Sequence, residues 1–233
     1  MRLRIATYNI HRCVGRDGVE NAERIAAVLA ELQADIVALQ EVGSYSGMAG
    51  SDVPAYLAAA VGMQPIEGYT LTAAGARYGN ALLTGLPVSA VKRIDISIKG
   101  REPRGMIEAT FAVHRRAMVL WATHLGLGTR ERHLQMKKIL KIIEAADGDV
   151  NILLGDFNEW LPWSRPLRAV HRWFKTPRSM GPSPATFPSR IPMLRLDRIW
   201  VRPAERVTSL RVHATELSRI ASDHLPLVAD LLL

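Results

Sequence analysis

The sequence predicts an α/β protein in which two mixed, mainly antiparallel β-sheets pack face to face with helices outside. Three observations lead there. The chain opens with a strand, a helix and a strand within roughly 40 residues, the unit of a right-handed parallel crossover. A second helix-strand unit follows residue 129. Between the two lie successive strands parted only by turns, which implies antiparallel pairing. Two such halves bury each other's apolar faces as stacked layers.

Residues 3–10 alternate in part and read as a strand ending at Tyr8-Asn9-Ile10-His11. Asn21 is a good N-cap for an amphipathic helix over residues 22–32, with Ile25, Val28, Leu29 and Leu32 at helical spacing. Ile36-Val37-Ala38-Leu39 is a buried strand that ends in Gln40-Glu41. Residues 43–51 are Gly/Ser-rich and read as a mobile loop. Residues 54–61 read as a short helix. Strands follow around residues 69–73, 81–84, 89–94, 107–113 and 117–123, the last leading into His124. Thr129 can cap a helix over residues 130–146, whose buried face would carry Leu134, Ile139, Leu140, Ile142 and Ile143. The apolar run at 150–154 is too short for a helix and suits a strand buried on both faces. Trp160, Trp163, Trp173 and Phe174 fall in a partly helical stretch, and residues 176–192 form a long Pro- and Ser-rich ordered loop. Residues 196–201, 207–212 and 227–232 close the chain as strands. No repeat, low-complexity tract or boundary is visible, so residues 1–233 are expected to form one domain with one sheet per half.

At 48% hydrophobic and 22% charged, the chain can bury a sizeable core. No apolar run nears the roughly 18 residues that span a bilayer. The N-terminus enters a strand with no apolar signal region, so a cytoplasmic location is expected. Cys13 is the one cysteine, which excludes an intrachain disulfide and a thiolate metal cluster. His11 nearby makes a nucleophilic Cys13 conceivable, but a small residue after a strand is the simpler reading. The net charge of +8 points to an anionic partner. The excess lies in residues 161–222, where twelve Lys/Arg face only Asp197, Glu205 and Glu216. Almost all are Arg, which suits bidentate contact with phosphate.

The chain is organised around Asn151-Ile152-Leu153-Leu154-Gly155-Asp156-Phe157-Asn158. A buried strand stops at a glycine, and an acid and an amide follow at its mouth, where open α/β sheets place their chemistry. Other strand ends carry Asn9 and His11, Glu41, Asn80, His124, Asp197, and Ser222-Asp223-His224. Singly, each suits a plain structural role: a turn, a solvated end, a core histidine, an Asp197–Arg198 ion pair. Together they are rich in carboxylate, imidazole and amide and lack thiolate. Such a set suits a hard cation, Mg²⁺ or Mn²⁺ in its place, and acid-base work on a phosphate. It does not suit a structural zinc site.

Thr7-Tyr8-Asn9-Ile10-His11, Leu39-Gln40-Glu41, Tyr78-Gly79-Asn80-Ala81-Leu82-Leu83, Thr123-His124-Leu125, Gly155-Asp156-Phe157-Asn158, Leu196-Asp197-Arg198-Ile199 and Ser222-Asp223-His224-Leu225-Pro226 resemble the signatures of the endonuclease/exonuclease/phosphatase family. They stand in the family's order and span nearly the whole chain. The resemblance implies a four-layer α/β sandwich and Mg²⁺-dependent phosphoester hydrolysis. It implies Glu41 as the main metal ligand, with Asn9 beside it and Asp223 completing the metal or His224 environment. Asp156 would orient or deprotonate the attacking water, and Asn158 would hold that water or a phosphate oxygen. His224 would act as base or stabilise the phosphorane-like transition state, and Asp197 would fix its tautomer. His124 would contact the scissile phosphate, and Asn80 would lie at the floor of the site. His11 stands where abasic-site repair members carry an Asp, leaving one carboxylate fewer near the metal. His11 and Arg104 are weaker substrate-binding candidates. Arg104 could reach a substrate phosphate or form a surface ion pair with Glu102 or Glu108.

Three function classes follow. The first is a nuclease-type phosphodiesterase, with nucleic acid meeting the Arg-rich region and Trp160, Trp163 and Trp173, unless those rings are core. The second is a phospholipid or soluble phosphoester hydrolase, with Pro162, Trp163, Trp173 and Phe174 touching an anionic membrane surface. The third is an anion-binding domain with a decayed site, against which the full polar set argues. No obligate protein partner is implied.

Overall fold

The computed structural model describes residues 1–43, 52–73, 76–113, 116–161, 164–176 and 183–233. Most of the expected 43–51 loop, part of the 176–192 loop, Pro162 and Trp163 lie outside the described residues. In chain order the elements are β1 (Arg2–Asn9), α1 (Ala22–Leu32), β2 (Ile36–Gly43), α2 (Val53–Ala60), β3 (Gln64–Ala73), β4 (Ala76–Thr84), β5 (Val88–Asp95), β6 (Gly105–Val113), β7 (Arg116–His124), α3 (Thr129–Glu144), β8 (Val150–Asp156), α4 (Arg165–Trp173), β9 (Asp197–Arg202), β10 (Val207–Val212), α5 (Glu216–Ala221) and β11 (Leu227–Leu232).

A six-stranded sheet runs β10-β11-β1-β2-β4-β3, and a five-stranded sheet runs β5-β6-β7-β8-β9. The period of two in the strands explains the layers. Ile36 and Ala38 of β2, and Ile152 and Leu154 of β8, enter the core between the sheets. Val37 and Leu39 point the other way, onto α1 and α2. Leu153 points out of the second sheet, against the apolar side chains of α3 and α4. The result is the expected four-layer sandwich.

Four sequence expectations need correction. The sheets do not divide by halves: β10 and β11 return to the first sheet, where β11 pairs with β1. A strand's pattern shows that it is buried, not which edge it joins. Helix α3 is capped at Gly128, with Thr129 as its first residue. Leu134 is 37% exposed, and the buried face of α3 includes Glu131, Arg132 and Gln135. Those polar groups fasten loops: Gln135 accepts from Gly126 N–H at 2.9 Å, and Arg132 pairs with Glu159 at 3.5 Å. Helix α5 was not expected. Its six residues are too few to show a period, and Thr215 caps it.

The pairings place the polar strand ends at one edge. β1 and β2 are parallel, as are β7 and β8, so Asn9, Glu41, His124 and Asp156 leave their strands on the same side. The antiparallel β9 starts where β8 ends, with Asp156 opposite Asp197. β11 starts opposite Thr7, just after His224. Gly155 makes the close approach of β7 and β8 possible. It has φ +144°, and a Cβ there would come within 1.9 Å of the Thr123 carbonyl oxygen. Gly155→Ala is therefore expected to cost roughly 3 kcal/mol or more of stability. Urea unfolding reads this as a lower midpoint at unchanged slope. A loss below about 1 kcal/mol would show that the two strands part freely.

Candidate active site

Asp156 is the hub. Its carboxylate is 1% exposed. Oδ2 accepts from the Asn9 amide nitrogen at 3.1 Å, and Oδ1 accepts from Asn158 N–H at 2.8 Å. His124 Nε2 stands 3.5 Å from Oδ2, and His224 Nε2 stands 3.8 Å from it. The same Asn9 nitrogen donates to Glu41 Oε1 at 3.1 Å. One amide thus bridges two carboxylates from opposite sheets.

Local backbone features aim these groups. The β2–β4 register shifts between Leu39 and Val42, and Glu41 takes φ +55° there. This bulge re-aims Glu41 toward Asn9. Asn158 has φ +48°, which Asn tolerates better than most residues. Its side-chain nitrogen donates to Leu125 O at 2.9 Å and lies 3.1 Å from His124 Nε2. After β1 the chain makes a left-handed turn, with positive φ at His11, Arg12 and Cys13. That turn brings His11 N–H to Asn9 Oδ1 at 3.0 Å. The His11 ring lies near Val14 O at 3.2 Å, so what the structure assigns to His11 is the placement of Asn9.

The histidines differ in charge although they flank one carboxylate. Burial pushes His124 down to about 4, despite the opposing pull of Asp156. Burial also opposes charge on His224, but Asp197 and Asp156 outweigh it and push the ring up to about 10. His224 Nδ1 bonds Asp197 Oδ2 at 2.8 Å. At neutral pH His124 is neutral and His224 is an imidazolium.

These shifts set how stability varies with pH. From about 6.5 to about 10 the folded chain keeps a proton on His224 that the unfolded chain loses, so stability falls. The His224 contribution is full below 6.5 and gone above 10. Between about 4 and 6.5 the unfolded chain gains a proton that folded His124 refuses, so stability rises with pH. Urea midpoints in EDTA should trace both limbs, and His224→Gln should flatten only the alkaline one. An unchanged alkaline limb in that variant would contradict the imidazolium.

The other expected residues are placed as follows. Asn80 is buried, and its amide donates to Gly105 O at 3.2 Å, tying β4 to β6. Asp223 is half-buried, with its Oδ1 3.3 Å from the Ser222 hydroxyl oxygen. Arg104 does pair with Glu102, at 2.9 and 3.2 Å, but it is buried at 6% exposure rather than on the surface. Cys13 is buried, and burial pushes its thiol up to about 12, which suits packing rather than nucleophilic attack. Trp160 is 55% exposed, against the core role, whereas half-buried Trp173 packs edge-on to Phe174 at 4.7 Å. Much of the Arg excess is structural: Arg211 pairs with Asp230, Arg219 bonds Ser189 O and Arg190 O, and Arg202 lies over Trp173.

The sequence reading gave no role to three residues here. Thr186 donates to Asp197 Oδ2 at 2.5 Å, Ser222 donates to Asn9 O at 2.8 Å, and Phe187 packs 4.9 Å from the His224 ring. Ser222 stands inside a quoted motif. Thr186 and Phe187 lie in a stretch with no local signature.

The Endonuclease/Exonuclease/phosphatase family model matches residues 6–224. The chain belongs to this family. E. coli (strain K12) YbhP, described as uncharacterized, is 32% identical over 163 residues, 66% of this chain. That match spans 62% of YbhP's own length, less than two thirds. An endonuclease/exonuclease/phosphatase structure from Beutenbergia cavernae DSM 12333 aligns with TM-score 0.78 and 25% identity, over all of this chain and 72% of that one. D. rerio TDP2, solved with a single-strand DNA product, aligns with TM-score 0.72 over 100% of this chain and 99% of that one. Its 19% identity shows the shared fold alone.

Family membership gives the chain a metal-dependent phosphoesterase fold, and its members are hydrolases acting on phosphoester bonds. The residues present fit a divalent ion. Glu41, Asp156 and Asp197 offer hard oxygens, and one oxygen of buried Asp197 has no hydrogen-bond partner among the described residues. Ligand atoms of Asp156, Asp197 and His224 lie within 4.8 Å of one another. In that trio, however, the Asp197–His224 contact is a charged hydrogen bond, which ties up the imidazole. Among the described residues no helix is long and apolar enough to cross a membrane.

Proposed function

We propose that this protein is a Mg²⁺-dependent phosphodiesterase of nuclease type, which cleaves by attack of water on phosphorus. The observation that carries the reading is Asp156, held between a neutral and a charged imidazole while sharing one amide with Glu41. Glu41, with Asn9 and Asp223, would hold the ion. When bound, the ion neutralises charge on the phosphoryl oxygens.

The side chains divide the remaining work. Asp156 orients the water and takes its proton, and the Asn158 side chain steadies the water or a phosphate oxygen. His124 contacts the scissile phosphate while neutral. His224 already carries its proton at neutral pH, so it stabilises the charge that builds on the phosphorane-like transition state, and the base is Asp156. Asp197 holds the imidazolium in place. A new O–P bond forms, the ester O–P bond breaks, and the departing alkoxide takes up a proton from solvent, to which Asp156 releases the one it took from the water.

Three observations support nucleic acid as the substrate. The net charge is +8, and Trp160 is exposed beside the site segment, where a base could stack. The TDP2 relative was solved with a single-strand DNA product, on the same fold. The test is a panel of DNA, RNA, phospholipid vesicles and small phosphoesters, with Mg²⁺ or Mn²⁺, run beside Asp156→Asn. Strand cleavage that weakens steeply with salt and is lost in the variant is the expected result. Turnover confined to vesicles or short phosphoesters would replace this reading with the lipid or soluble-ester one.

A further inference from the structure

The part of the Arg excess that has no structural partner gathers on one surface. Between Trp160 and Leu196 the chain has no Asp or Glu. Within that stretch α4 exposes Arg165, Arg168 and Arg172, three and four residues apart and so on one face. Helix α3, packed against α4, exposes Arg130, Lys137 and Lys141. At 3.6 residues per turn the two lysines fall within about 20° of Arg130, so these three form a second stripe. Among the described residues none of the six side chains makes an ion pair or a hydrogen bond. Glu144, in the last turn of α3, is the one exposed acid of the two helices.

This arrangement works against the helices that carry it. Like charges three or four residues apart repel, and cations in a first turn, as Arg130 and Arg165 are, oppose the helix dipole. An anionic partner would offset both effects. The two helices also start at the edge where the site lies. Thr129 opens α3 five residues after His124, and Arg165 opens α4 seven residues after Asn158. Arg132, bonded to Leu127 O and paired with Glu159, ties their leading loops together. From Arg130 to Lys141 the stripe runs roughly 16 Å at 1.5 Å per residue, long enough for several phosphates of one strand. A lipid surface fits less well. A helix that enters lipid keeps its apolar face free, whereas Met136, Ile139, Ile143, Leu167 and Val170 are buried in the core. Leu134 is the one large apolar side chain that the two helices expose, among the described residues.

We propose that the outer face of α3 and α4 is a second binding surface, which holds the phosphate backbone of a nucleic-acid substrate beyond the scissile bond. This rests on the phosphodiesterase reading above for its substrate class, and it adds where the rest of the strand lies. Affinity there comes from charge along the strand, without reading of bases. The surface therefore acts through KM and not through kcat.

The test reads binding of a labelled single strand of about 20 nucleotides by fluorescence anisotropy, in EDTA so that no turnover is needed, over a series of salt concentrations. Three double variants each lose two positive charges. Lys137→Gln/Lys141→Gln lies on α3 and Arg168→Gln/Arg172→Gln on α4. Arg2→Gln/Arg116→Gln is the control, at the exposed starts of β1 and β7, on the edge opposite the site. The α3 and α4 pairs should each reduce the slope of log K against log salt by about 1.4, two contacts at roughly 0.7 each, and weaken binding at about 0.1 M salt by roughly 25-fold. The control pair should stay near wild type. Arg168→Lys/Arg172→Lys, which keeps the charge, should keep the slope. With Mg²⁺, kcat/KM on the strand should fall with binding, through KM, while rates on bis(4-nitrophenyl) phosphate, too small to reach the helices, stay level. Equal losses in all three pairs would reduce the effect to net charge and overturn the surface. Unchanged slopes in the α3 and α4 pairs would overturn it too, as would a wild type that binds vesicles of phosphatidylserine and phosphatidylcholine but not the strand. Turnover of bis(4-nitrophenyl) phosphate would in each case leave the phosphodiesterase standing. Turnover of no phosphodiester with any metal would overturn the phosphodiesterase, and the anisotropy series would still decide the surface.

Discussion

Asp156→Asn is expected to lower kcat by on the order of 10²–10⁴-fold, with KM little changed. The substitution keeps the shape of the side chain and its contact with Asn158 N–H. It removes the charge that accepts the water proton, and with it a charge that helps hold the His224 proton. His224→Gln should cost a similar factor, because the imidazolium that faces the developing negative charge is then lost. The two should not add. Once Asp156 is neutral, the imidazolium has lost a partner and the water its base, so the double variant should be little slower than the worse single one. Steady-state rates on bis(4-nitrophenyl) phosphate read all three. An Asp156→Asn enzyme within threefold of wild type would remove Asp156 from the chemistry.

Glu41→Gln is expected to raise the Mg²⁺ concentration for half-maximal activity by about 100-fold or more, above the roughly 10–100-fold that follows loss of a group bonded to a ligand. Glu41 is half-buried at the mouth of the site, on a bulge, with its carboxylate directed at Asn9. A neutral amide there keeps the bond geometry and loses the charge that attracts a cation. Saturating Mg²⁺ should restore part of kcat, and EDTA should abolish activity in both proteins. If Glu41→Gln left the metal titration unmoved while Asp197→Asn shifted it, the ion would belong to the Asp156–Asp197–His224 cluster instead.

Legibility of the fold followed the range of the interactions involved. Helix α1 was readable to its last residue, because an Asn cap and a 3.6-residue period are local. Helix α5 was not, because six residues hold less than two turns. Helix α3 was readable in extent but not in its buried face. Arg132 and Gln135 are buried there to hold the loops that follow β7 and β8, and those partners are remote in sequence. In the site, Asp156, His224 and Asp197 stood out as polar residues at strand ends. Thr186 did not, since a threonine in an irregular stretch carries no pattern until Asp197 is beside it.

By itself the sequence determined where most strands lie, and that acids, amides and imidazoles stand where strands end. These follow from side-chain period and capping, which act over a few residues. Only the tertiary structure decided that β11 returns to lie beside β1, that Asn9 meets Asp156 across 147 positions, and that one histidine is charged and the other neutral. The physical reason is that strand pairing and charge state depend on neighbours brought together by folding. The same imidazole takes either state according to its burial and the carboxylates that face it.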